Sequence, residues 1–69
     1  MNANTSLDKL IYFKREEKGM TREQLAELLG ITSRTIYYWE TDSERKPKLS
    51  MLFQLSQILD IPINDMLFN

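Results

Sequence analysis

The chain has 69 residues, 42% of them apolar, and a formal net charge of −1, which describes one small domain with a modest core. It has no cysteine and no histidine, which excludes disulfides and thiolate metal sites and removes the commonest metal ligand and general base. No apolar run approaches the roughly 20 residues that span a bilayer. Met1 is followed by polar residues rather than a basic stretch and an apolar run, so the expectation is a cytoplasmic protein with no membrane contact.

Residues 1–5 are polar and predict a disordered tail ahead of a domain over 6–69. Ser6 is placed to cap a first helix. Leu7, Leu10 and Ile11 recur at helical spacing, and the helix runs to about Lys18. Gly19 ends it in the left-handed region. Thr21 caps a second helix, and Gln24, three residues on, completes a capping box. Leu25, Leu28 and Leu29 form the apolar stripe of that helix, and Gly30 stops it. Thr32 caps a third helix with Ile36 and Trp39 on one face. Thr41, Asp42 and Ser43 are poor interior helix residues and mark its end. The polar stretch to Lys48, with Pro47 inside it, predicts an exposed loop. Leu49, Leu52, Leu55 and Leu59 predict a fourth helix from about Ser50 to Leu59, broken at Asp60. A last short helix covers about Pro62 to Phe68, with Pro62 suited to the first turn. No alternating strand pattern, repeat or low-complexity tract interrupts this order. The fold class is all-α, five short helices joined by tight turns.

Charge is unevenly placed. Residues 1–30 are balanced. Residues 31–48 carry Arg34, Arg45, Lys46 and Lys48 against Glu40, Asp42 and Glu44, and residues 49–69 carry only Asp60 and Asp65. The cations lean toward the middle, which favours an anionic partner over an even solvated surface only weakly.

The informative stretch is residues 20–40, MTREQLAELLGITSRTIYYWE. Two short helices joined around Gly30 and Ile31 cross steeply. Such a crossing requires a small residue where the backbones meet, and Ala26 supplies it. Ile36 and Trp39 anchor the second of the two helices, leaving Ser33, Arg34, Tyr37 and Tyr38 outward. About eight helical residues extend about 12 Å at 1.5 Å per residue, close to the width of the DNA major groove. The first helix of the pair would cross the DNA backbone with its N-terminus aimed at a phosphate.

Here the sequence resembles the Cro/CI-type (XRE-like) helix-turn-helix domain of phage repressors and many small bacterial regulators. The likeness covers about residues 7–67. It is carried by the Arg15-Glu16-Glu17-Lys18-Gly19 run, Thr21 to Gly30, Thr32 to Glu40, Pro47-Lys48-Leu49 and the closing ILDIPINDML. The resemblance implies a compact five-helix, lambda-repressor-like fold. It also implies a sequence-specific regulator of double-stranded DNA, a homodimeric repressor on a palindromic operator, without cofactor or small-molecule ligand. Residue by residue, it places Arg22 where the family has a phosphate-contacting glutamine. Ser33, Arg34 and Tyr38 fall where the family reads base edges, and Thr35 and Tyr37 where it touches phosphate or reads at the margin. Lys46 and Lys48 fall in a loop that reaches the DNA backbone or minor groove. Arg15 and Glu40 match an internal ion pair. Three positions depart from the pattern: Arg22 replaces the glutamine, and Asp42 and Asp60 stand where glycines are usual. Aspartate imitates glycine in the left-handed region at some cost.

Two other classes compete. A protein-binding module of the same fold, an antitoxin or anti-repressor partner, fits the −1 net charge. It would use Met66 and Phe68, which are also the expected dimer contact. An enzyme lacks support, because neither paired carboxylates nor a phosphate-cradling glycine loop is evident.

Overall fold

The computed structural model describes residues 6–67. They form α1 (Leu7–Glu17), α2 (Arg22–Leu29), α3 (Ser33–Thr41), α4 (Leu49–Leu59) and α5 (Ile63–Leu67), with no strand among the described residues. The expected tail over 1–5 and the position of Phe68 lie outside that range.

Three helix ends use one device. Each ends in a Schellman turn, in which the residue after the left-handed pivot donates back to a carbonyl five positions earlier. Met20 N donates to Arg15 O at 3.1 Å, Ile31 N to Ala26 O at 3.0 Å, and Ile61 N to Ser56 O at 3.0 Å. The pivot must take positive φ. Gly19 (φ 69°), Gly30 (φ 70°) and Asp60 (φ 57°) do so. Asp60 is the costly member, and its carboxylate gains a partner there, accepting from Lys18 Nζ at 2.6 Å. That hydrogen bond ties the end of α1 to the end of α4. It also holds the Asp60 carboxyl below its ordinary range.

The starts are chemically varied. Thr21 and Gln24 form a reciprocal capping box: Thr21 Oγ1 accepts from Gln24 N at 3.0 Å, and Gln24 Oε1 accepts from Thr21 N at 2.9 Å. Such a cap is worth about 0.5–2 kcal/mol. Thr32 Oγ1 accepts from Thr35 N at 3.3 Å. Ser6 stands at the N-cap of α1, yet its side chain caps nothing. Its hydroxyl instead hydrogen-bonds the Asp8 carboxylate, which lowers the Asp8 pKa. Pro62 precedes α5 rather than joining it, its carbonyl accepting from Asp65 N at 2.9 Å.

One core gathers Leu7 and Ile11 from α1, Leu25, Ala26 and Leu29 from α2, and Ile36 and Trp39 from α3. Leu52, Leu55, Leu59, Ile61 and Met66 close it from the other side. Each large apolar side chain buried there contributes about 1.5–3 kcal/mol. Two expected stripe residues are not in it: Leu28 is 58% exposed and Leu49 is 55% exposed. The buried arc of α2 runs through Leu25, Ala26 and Leu29, so Ala26 and not Leu28 faces the core. Leu49 is the first residue of α4 and sits off the line of Leu52, Leu55 and Leu59.

Met66 corrects a second expectation. It is 3% exposed and belongs to the core, so its side chain is spent on closing the fold and is no exposed dimer contact.

Candidate nucleic-acid interface

Helix α3 is held by a charged anchor as well as an apolar one. Ile36 and Glu40 lie one turn apart and share its inner face with Trp39. On α1, Arg15 follows Leu7 and Ile11 at the same spacing, so it too points inward. The two meet in a bidentate pair: Arg15 Nε donates to Glu40 Oε2 at 2.7 Å and Arg15 Nη2 to Glu40 Oε1 at 3.1 Å. Arg15 Nη1 also donates to the carbonyl of Met20 at 2.7 Å, spanning the turn after α1. The hydrogen bonds to Glu40 raise the already high Arg15 pKa. No buried side-chain nitrogen or oxygen among the described residues lacks a partner.

Arg22 joins this group. Its Nε donates to Glu40 Oε1 at 2.9 Å, so one carboxylate serves two guanidinium groups. The Arg22 guanidinium also lies 5.2 Å from the centre of the Tyr37 ring. About a third of its side chain (34%) remains exposed. Arg22 thus connects the start of α2 to α3 through a carboxylate and an aromatic face, a link with no sequence signal because the partners lie on another helix.

With Ile36, Trp39 and Glu40 inward, the opposite side of α3 belongs to Arg34, Tyr38 and Thr41, with Tyr37 beside them. Arg34 is exposed and makes no ion pair among the described residues. Tyr37 is 47% exposed and Tyr38 is half-buried. Their rings meet edge to face with centroids 5.7 Å apart. Ser33 sits on the flank of the helix, half-buried. Thr35 is also half-buried, and its hydroxyl is 3.1 Å from that of Thr32. Thr41 is exposed and donates its hydroxyl to the carbonyl of Tyr37 at 2.8 Å.

The following loop is ordered by Asp42. Its backbone is extended (φ −127°, ψ 103°), so the position requires no glycine. Its Oδ1 accepts from Glu44 N at 2.9 Å and its carbonyl from Arg45 N at 2.9 Å. Such an Asx turn is a use of aspartate that glycine cannot supply. The turn sends Arg45 back over α3, its guanidinium 4.2 Å from the centre of the Tyr38 ring and its Nε 3.5 Å from Asp42 Oδ2. In sequence Arg45 is only one of the loop cations; its signal is the Asp42–Arg45 spacing, which fits both an ion pair and a turn. Pro47 is buried and pins the loop, leaving Lys46 and Lys48 exposed on either side of it.

A helix pair joined by a tight left-handed turn, the second helix anchored on one face and open on the other, is a helix-turn-helix. A helix-turn-helix family model matches residues 11–66. The chain belongs to the XRE-like helix-turn-helix family. Neither the curated proteins nor the solved structures yield a match. In helix-turn-helix terms, α2 and α3 are the paired helices, with α3 the second of the pair. The family is one of DNA-binding regulators, not of enzymes. Among the described residues no helix is long and apolar enough to cross a membrane, and no group of acidic side chains is arranged to hold a metal ion. A hollow of about 90 Å³ beside Trp39 and Pro47 is well below the size that takes a drug-sized ligand.

Proposed function

We propose that this helix-turn-helix protein is a sequence-specific regulator of double-stranded DNA, acting as a homodimeric repressor on a palindromic operator. The observation that carries this is the division of α3: Ile36, Trp39 and Glu40 fix it to the domain, while Arg34 and the two tyrosines stay on the solvent side. In the proposed complex α3 lies in the major groove. Arg34 reads a base edge, guanine O6 and N7 being the usual target of an arginine. Ser33 and Tyr38 read beside it, and Tyr37 and Thr35 work at the margin. Lys46 and Lys48 contact phosphates, which supplies affinity but no sequence choice. Arg22 faces the adjoining phosphate from the start of α2 while Glu40 holds its Nε.

Selection from random duplexes tests this. The expected product is an inverted repeat whose half-site centres lie about 34 Å, one DNA turn, apart. Arg22, Lys46 and Lys48 from two protomers give a slope of roughly −5 in log K against log [salt]. No enriched sequence together with flat salt dependence would overturn DNA recognition and leave the protein-binding module. A single half-site bound by a monomer would overturn only the dimer.

A further inference from the structure

Four side chains form a continuous row along the open side of α3 and the loop behind it. The order is Arg22, Tyr37, Tyr38, Arg45, with successive separations of 5.2, 5.7 and 4.2 Å between cation and ring centre or between ring centres. Each outer cation is tethered at its Nε: Arg22 to Glu40 at 2.9 Å, Arg45 to Asp42 at 3.5 Å. The carboxylates therefore aim the guanidinium groups, and the guanidinium groups cover the rings. Each inner ring has a cation on one side and the other ring on the other.

We propose that Arg22 and Arg45 are positioning residues of the DNA interface, clamping Tyr37 and Tyr38 into one arrangement before DNA arrives. This rests on the DNA-binding function proposed above and adds Arg45 to it. The physical gain is preorganisation. A side chain that must be immobilised on binding weakens affinity by roughly two- to tenfold, and a ring already fixed in the free protein avoids that loss. Arginine suits this task better than lysine because its planar guanidinium stacks on a ring while its Nε still reaches a carboxylate.

Arg45 is the usable handle, since it lies in an exposed loop and Arg22 shares the carboxylate that holds the fold together. Arg45→Lys keeps the charge and loses the stacked plane. On the duplex selected by the wild type, Arg45→Lys is expected to bind about fivefold more weakly. Its salt slope and melting temperature should be unchanged, and the Tyr38 ring resonances of the free protein should move. In a Tyr38→Leu background the same substitution is expected to have no further effect, because Arg45 acts through that ring. Wild-type affinity in Arg45→Lys would overturn the clamp while DNA binding stands. So would an equal loss in both backgrounds, which would make Arg45 a direct contact. A wild type that enriches no duplex would overturn the DNA function and the clamp with it.

Discussion

Glu40→Ala is expected to leave the domain largely unfolded at 37 °C. The Glu40 side chain is 1% exposed and accepts three hydrogen bonds from two arginines. Arg15 is 4% exposed, and without Glu40 its guanidinium keeps only the Met20 carbonyl and the solvent-exposed Glu16 carboxylate at 3.4 Å. Stranding one charge of a buried pair costs about 3–5 kcal/mol. A single core in a chain below about 70–80 residues rarely supplies more than about 3–5 kcal/mol, so the loss matches the whole margin. A thermal melt followed by circular dichroism measures it, and an unchanged melting temperature would refute the pairing. The rescue is specific. Arg15→Met combined with Glu40→Leu removes both charges and should recover much of the loss, because apolar replacement of a buried pair is often neutral or stabilising. Neither residue faces the open side of α3, so the refolded double variant should retain DNA binding reduced only by the release of Arg22.

Arg34→Ala carries the largest expected effect on binding. Arg34 lies in the first turn of α3, where a positive charge opposes the helix dipole. Its removal should therefore leave stability within about 0.5 kcal/mol. Binding to the selected duplex should weaken by about 1–3 kcal/mol per half-site, the worth of a bidentate base contact, and by about twice that for the dimer. The pattern of loss is as informative as its size. A base-reading arginine loses discrimination at one position of each half-site, so the variant should bind the wild-type site and its single-base variants at that position alike. Competition binding across such duplexes measures this. Uniform weakening on every sequence would move Arg34 to the phosphates, and full affinity would remove it from the interface.

Most of the fold was legible because its signals are local. Gly19, Gly30, Thr21 with Gln24, and Thr32 set helix ends through hydrogen bonds reaching no more than five residues, so their spacing alone places them. Burial was less legible because it depends on where the neighbouring helix lies. Leu28 satisfies the helical stripe on α2 yet stays in solvent, and Met66, read as a surface contact, closes the core. The outward side of α3 followed from subtraction: once Ile36 and Trp39 face inward, Arg34 and Tyr38 cannot. Apart from the Arg15–Glu40 pair, which the family resemblance implies, the contacts between elements did not follow. The resemblance puts Arg22 at a phosphate, and nothing near it in sequence points to Glu40 or Tyr37. Arg45 was a bare loop cation until the Asp42 turn laid it on Tyr38. Asp42 and Asp60 both replace a usual glycine and solve the substitution differently, one by leaving the left-handed region and the other by occupying it with a lysine as partner.

Backbone amide shifts recorded while the selected duplex is added to labelled protein would locate the DNA on the surface. The largest changes are expected at the start of α3, around Ser33, Arg34 and Tyr38, with a second group at Arg22 and through residues 44–48. Changes confined to α4 and α5, with α3 silent, would contradict insertion of α3 into the groove.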